Sequence, residues 1–245
     1  MGRTTMTFHA GKPLANQTLE WLPTDTNETF EQLMQEPKHQ HYFAAKGWDQ
    51  PGAITYRLNS EGFRCVEFDD QPCLVALGCS YTLGSGLPVE CTWPSLVGRA
   101  LNLSVANLAW MGYSADSCFR IAEYWLPQLN VQQVVMLTPF SDRVEVLTET
   151  GAITCMPSNI PKTTTDEFLT HWVLNNENGR LNSIRNKLAV KQLCHNLNVP
   201  CQIYDALTYM ADSREKLEYA RDHMHAGPRG HQILAERIIN DCTTK

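Results

Sequence analysis

The sequence predicts an α/β fold in which a parallel sheet is covered by helices on both faces. Three observations carry this. From about residue 72, short continuous apolar runs recur, as strands buried on both faces require. Stretches with apolar residues on a helical period separate those runs. The chain has 245 residues, 43% of them hydrophobic, enough to bury the core of one large domain plus an appendage.

In chain order, residues 1–70 are polar, aromatic-bearing and irregular. They read as an N-terminal extension or docking arm that wraps the main domain or contacts a partner. Within it, residues 54–58 alternate as a strand does, and Asn59-Ser60-Glu61-Gly62 reads as a turn. Residues 71–245 form the main domain. Cys73-Leu74-Val75-Ala76-Leu77 reads as its first buried strand. Residues 93–101 read as a helix, with Thr92 as N-cap and Pro94 in the first turn. Residues 103–108 are a second strand candidate. Residues 114–129 carry apolar residues at 118, 122, 125 and 129, one face of a helix. Residues 134–137 are a third strand. An insertion at 144–178 lacks periodicity and is expected to shape substrate choice. Ile184, Leu188, Leu193 and Leu197 mark a helical face, and residues 202–204 a fourth strand. Residues 228–240 read as a further helix, with Ile233, Leu234, Ile238 and Ile239 inward. No internal repeat or low-complexity segment interrupts this order.

Sites in such sheets gather at the carboxyl ends of the strands. Ser80, Gly112, Ser141-Asp142 and Asp205 follow the four strand candidates and fall on that edge.

Composition narrows the function. The net charge is -6, which disfavours a phosphate-backbone partner, and no basic run suggests a nucleic-acid tail. No apolar stretch is long enough to span a bilayer, so no membrane role is expected. The start of the sequence lacks the apolar core of a signal peptide, so cytoplasmic synthesis is the expectation. Nine scattered cysteines without a CxxC pair fit free thiols, and no zinc spacing is present. No cofactor is called for.

Two distant segments carry the chemistry. Gly78-Cys79-Ser80-Tyr81-Thr82 places a serine at a strand-to-helix turn. Asp222-His223-Met224-His225 places a histidine three residues after a carboxylate. A serine hydroxyl is a poor nucleophile until a base takes its proton. His225 can do that near neutral pH, and Asp222 would hold its useful tautomer. The backbone N-H groups of Ser80 and Gly112 would hold the developing oxyanion. Taken alone, Ser80 reads first as a helix N-cap; the downstream Asp-x-x-His turns the reading to catalysis. His223 is an alternative base and Asp205 a reserve acid. His231 reads as a packing or capping residue. Gly84-Ser85-Gly86 is read as a loop beside the nucleophile, since no Gly-Lys-Ser/Thr follows. Cys79, among apolar neighbours, is not read as the nucleophile. Trp110, Tyr113 and Tyr81 are either a sugar platform or packing.

These blocks resemble the SGNH, or GDSL-like, hydrolase superfamily. Gly78-Cys79-Ser80-Tyr81-Thr82 is similar to its first block, with Cys79 where aspartate is usual. Residues 107–114 are similar to the second, whose glycine is Gly112. Asp222-His223-Met224-His225, with Gly230-His231 after it, is similar to the last. The resemblance spans residues 72–242. It implies a flavodoxin-like three-layer α/β/α sandwich of about five parallel strands. It also implies a serine esterase that hydrolyses acyl groups, acetyl foremost, on carbohydrates or small molecules. The third block departs from its usual Gly-x-Asn-Asp. Its place is taken by Pro139-Phe140-Ser141-Asp142, where Ser141 would have to donate through its hydroxyl. Loss of one oxyanion donor costs on the order of 10²–10³ in rate. An alternative reading follows: a structural or binding subunit of a larger assembly, such as a virus particle, that kept the fold and docks through residues 1–70. A third is a nucleotide-binding flavodoxin-like protein, for which no phosphate loop is present.

Overall fold

The computed structural model describes residues 8–149, 151–157, 167–208 and 218–244. Its centre is a parallel sheet of four strands: β3 (Cys73–Leu77), β4 (Ser104–Asn107), β5 (Val131–Thr138) and β8 (Cys201–Asp205), in the order β4-β3-β5-β8. Counted along the chain, the strands lie 2-1-3-4, the first four places of the flavodoxin-like order. All five residues of β3 are buried, as a central strand flanked on both faces demands. Helix Trp93–Leu101 packs against helix Pro228–Thr243, and helix Ala115–Trp125 against helix Asn176–Asn196. The first of these helices also contacts β3 and β4, and the last contacts β5 and β8. The result is an α/β/α sandwich.

The described residues hold four strands in this sheet, where about five were expected. After β8 no further apolar run occurs. The chain instead forms the loop around an isolated antiparallel bridge, Tyr219 to Ala226, and enters helix Pro228–Thr243.

Two helical faces differ from expectation. In Asn176–Asn196, Leu188 is exposed and Ile184, Leu193 and Leu197 are only half-buried; the buried stripe is Gly179, Ser183, Val190 and Cys194. Small side chains let this helix lie close: a Cβ on Gly179 would come within 2.0 Å of the Ser141 carbonyl oxygen. In Pro228–Thr243, Leu234 and Ile238 face inward, and Ile233 is exposed because its neighbour takes the core position.

Residues 8–70 are more regular than the sequence suggested. Thr26 caps helix Asn27–Leu33 by accepting from the Thr29 N-H at 3.1 Å. Pro37 starts helix Pro37–Lys46, which Gly47 ends in a left-handed conformation. Strands β1 (Thr18–Leu19) and β2 (Tyr56–Arg57) pair antiparallel. Phe30, Phe43, Trp48, Ile54, Tyr56 and Phe63 are buried and belong to the same apolar cluster as the sheet. Within the 144–178 insertion, β6 (Val144–Leu147) and β7 (Ala152–Cys155) form a hairpin, followed by helix Glu167–Leu174.

Thr92 occupies the N-cap position of Trp93–Leu101, but its side chain makes no capping bond. His231 supplies one instead: its Nδ1 accepts from the Trp93 N-H at 3.0 Å. Burial lowers the pKa of His231 to about 3. Its unfolded value is near 6.5, so between these values the unfolded chain binds a proton that the native chain refuses. Stability is therefore full above pH 6.5 and falls as pH drops toward 3, at up to about 1.4 kcal/mol per pH unit. His231→Asn keeps an acceptor for Trp93 and is expected to flatten this slope. Unfolding midpoints measured from pH 7 to 4 check it; equal slopes in both proteins would refute the assignment.

Candidate active site

The turn that carries Ser80 is built by close backbone approach. β3 ends at Leu77, and a Cβ on Gly78 would come within 2.1 Å of Thr82 Oγ1. The one-turn helix Ser80–Leu83 follows, with Cys79, not Ser80, at its N-cap. The Ser80 N-H lies in the first turn and so has no intrahelical acceptor. Gly84 closes the turn at φ 81, and a Cβ there would meet Thr92 Cγ2 at 2.2 Å. From β4, Asn107 Nδ2 donates to the Thr82 carbonyl at 2.9 Å.

Arg64 secures this turn from behind. Its guanidinium donates to the carbonyls of Gly84 (2.7 Å), Leu87 (2.8 Å), Thr55 (3.0 Å) and Leu83 (3.1 Å), and it lies 4.3 Å from the Tyr56 ring centre. Burial lowers its pKa to about 10, which leaves it cationic at neutral pH.

The loop around the Tyr219 to Ala226 bridge brings the other two residues. Asp222 Oδ1 accepts from the backbone N-H of Met224 (2.9 Å) and His225 (3.1 Å). Its Oδ2 lies 2.6 Å from His225 Nδ1, and His225 Nε2 lies 2.7 Å from Ser80 Oγ. A carboxylate only accepts, so Nδ1 carries the proton and Nε2 is left as acceptor for the serine hydroxyl. Ser80 and His225 are each 5% exposed and Asp222 is 2% exposed. Bulk water is thus largely kept from a chain of hydrogen bonds that it would weaken. The Tyr81 ring meets the His225 imidazole edge-on, centres 4.7 Å apart.

A buried network ties the two loops together. Arg221, next to Asp222, donates from Nε (3.0 Å) and Nη2 (2.6 Å) to the carboxylate of Asp25. Tyr56 donates to the same carboxylate and accepts from the Gly86 N-H at 2.8 Å. The Arg221 N-H donates to the Gly86 carbonyl at 2.9 Å. Gly84-Ser85-Gly86 is thus a loop between Ser80 and the Asp222 segment: a Cβ on Gly86 would come within 3.0 Å of the Arg221 and Asp222 nitrogens. Asp25, Tyr56, Arg64 and Arg221 were not singled out from sequence. A charged Arg221 beside a catalytic candidate was the one available signal.

The remaining candidates sit as follows. Gly112, in the loop after β4, adopts φ 73, and among the described residues only Met156 Cε comes within 4 Å of a Cβ built there, at 3.7 Å. Among those residues the face of Gly112 is open. Ser141 is exposed in the turn after β5, with its backbone packed on Gly179. Asp205 is exposed and accepts from the Leu207 N-H at 2.9 Å, away from His225. His223 adopts φ 54 and stacks on Tyr219, centres 5.2 Å apart, with His39 at 4.4 Å. Its ring thus faces the N-terminal helices, and the imidazole that meets Ser80 Oγ is that of His225. Cys79 is buried in the core. Tyr113 and Trp110 pack around His9: Tyr113 Oη lies 2.6 Å from His9 Nδ1, and Trp110 meets the ring edge-on. Among the described residues, no group of three or more His, Cys, Asp or Glu could hold a metal ion, and no helix is long and apolar enough to cross a membrane.

No family model matches the chain, and no curated protein matches it. Several solved structures are similar. A G-D-S-L family lipolytic protein from Desulfitobacterium hafniense DCB-2 is 15% identical, over 68% of this chain and 97% of that one, with TM-score 0.36. A G-D-S-L family lipolytic protein from Veillonella parvula DSM 2008 is 12% identical, over 71% and 100%, with TM-score 0.39. A carbohydrate acetylesterase family member from Sinorhizobium meliloti is 12% identical, over 70% and 97%, with TM-score 0.34. The strand order and the paired helix layers themselves make this chain a three-layer α/β/α sandwich.

Proposed function

We propose that the chain is a serine ester hydrolase of the SGNH type, acting on an acyl ester of a carbohydrate or other small molecule. The observation that carries this reading is the continuous hydrogen-bonded chain Ser80–His225–Asp222 at the carboxyl edge of the sheet. Ser80 Oγ attacks the ester carbonyl carbon while its proton passes to His225 Nε2. The carbonyl π pair moves to oxygen, and the N-H groups of Ser80 and Gly112 stabilise that oxyanion, with Ser141 as a third donor. The intermediate collapses, the bond to the alkoxy group breaks, and the alcohol leaves with the proton from His225. Water then attacks the acyl-enzyme by the same route in reverse, releasing the carboxylic acid and restoring Ser80. Asp222 keeps the imidazole in one tautomer and offsets its charge in both halves.

Labelling with a fluorophosphonate probe tests the reading. The native chain is expected to label, and Ser80→Ala and His225→Ala are expected not to. A folded native chain that stays unlabelled, or a Ser80→Ala variant that still labels, would overturn it.

A further inference from the structure

A cavity of about 670 Å³ opens beside Gly112, at the carboxyl edge of the sheet. Trp110 and Tyr113 wall it on one side, His9 on a second, and Ala152 and Thr154 of the β6–β7 hairpin on a third. Strand alternation aims Ala152 and Thr154 inward, while Ile153 between them is 55% exposed. The volume falls in the range of small-molecule sites and far exceeds what an acetyl group fills.

The charges in its wall are already neutralised. Arg120 places Nε 2.6 Å and Nη2 2.7 Å from the Glu145 carboxylate, which also accepts from Ser117 Oγ at 2.7 Å. Lys12 is paired with Glu61 at 2.5 Å. Both ring nitrogens of His9 are engaged, by Tyr113 Oη at 2.6 Å and the Gly62 carbonyl at 3.0 Å. Burial lowers the His9 pKa to about 4, so the ring is neutral in the physiological range. Among the described residues, the wall that remains is aromatic and apolar, with no unpaired charge to meet a charged ligand.

Reaction geometry decides which part of an ester belongs there. In the tetrahedral intermediate the leaving oxygen must face His225 Nε2, because it takes its proton from that atom. The oxyanion faces the N-H groups of Ser80 and Gly112. The acyl substituent takes the remaining direction, on the side away from the leaving oxygen. Among the described residues, neither Ser80 nor the 218–226 loop lines the cavity; Gly112, with its neighbours Met111 and Tyr113, is where the cavity meets the site.

We propose that this cavity is the acyl subsite, and that it selects an uncharged acyl group larger than acetyl. The inference rests on the serine hydrolase reading and departs from the acetyl group that the family resemblance implies. His9 and the inward side chains of Ala152 and Thr154, all outside the motif blocks, are its specificity-determining parts.

The test uses 4-nitrophenyl acetate, hexanoate and benzoate with the native chain, Ala152→Phe and Ile153→Phe, each also labelled with a fluorophosphonate. Native kcat/KM is expected to be at least about tenfold higher for hexanoate and benzoate than for acetate, the scale of a small apolar group in a pocket. Ala152→Phe fills the cavity and is expected to remove that preference, lowering kcat/KM for hexanoate and benzoate to about the acetate value. Ile153→Phe, on the outer face, is expected to leave all three unchanged. A native preference for acetate, or losses in Ala152→Phe that are equal for all esters, would overturn the subsite while Ser80 labelling leaves the hydrolase reading standing. Absence of both labelling and turnover in the native chain would overturn the hydrolase reading and the subsite with it.

Discussion

Replacing Ser80 by Ala is expected to lower kcat for ester hydrolysis by on the order of 10⁶, with the fold intact. In the proposed mechanism the hydroxyl is the group that forms a bond to substrate, and Ala fits the same buried turn without loss of volume elsewhere. Asp222→Asn is expected to cost on the order of 10⁴ in kcat with little change in KM. The carboxylate accepts at three points: His225 Nδ1 at 2.6 Å and the N-H groups of Met224 and His225. An amide can keep the two backbone bonds through its oxygen. Its NH2 group then faces Nδ1, so the imidazole flips to the tautomer whose Nε2–H cannot take the serine proton. The double variant is expected to be no slower than Ser80→Ala alone, because residues acting as one unit do not add. Steady-state rates of the two single variants and the double variant decide this. Additive losses would mean that Asp222 acts on something other than His225.

Much of the site was legible because its informative residues lie in short contiguous blocks. A three-residue spacing on a tight loop brings Asp222 to His225, and a Gly-x-Ser turn after a buried strand places a hydroxyl at the sheet edge. The strands were legible as unbroken apolar runs. The long helix Asn176–Asn196 was misread because its buried stripe consists of Gly179, Ser183, Val190 and Cys194. Periodicity of large apolar residues does not register small ones. The N-terminal helices were missed for a related reason: each buries only one large apolar side chain, Phe30 or Phe43, among polar neighbours. Their caps, Thr26 and Gly47, were the readable signals. The buried ion pair was beyond reach, since Asp25 and Arg221 are 196 residues apart and nothing local links them.

That pair gives the largest expected change in stability. The side chains of Arg221 and Asp25 are 0% and 1% exposed. Asp25→Asn removes the carboxylate that faces a desolvated guanidinium, which then keeps the Glu20 carbonyl at 3.2 Å and the Trp21 ring 4.3 Å away. Leaving one such charge buried without its partner is expected to cost about 3–5 kcal/mol. For a chain of this length that lowers Tm by on the order of 10 °C. Arg221→Met alone leaves the Asp25 carboxylate with Tyr56 as its remaining strong donor and is expected to cost a similar amount. Removing both charges in Asp25→Leu/Arg221→Met is expected to regain most of that loss, because two apolar groups of similar size need no desolvation of charge. Catalysis is expected to follow a different course. The Tyr56 hydroxyl bridges Asp25 and the Gly86 N-H, so the double variant leaves Tyr56 without its acceptor even when the core is repacked. Fluorophosphonate labelling rates should therefore stay depressed in the double variant while its Tm recovers. If both recover together, the network holds only the fold. If the rate lags the Tm, Asp25 and Tyr56, supplied by the first 70 residues, position the Asp222–His225 loop over Ser80.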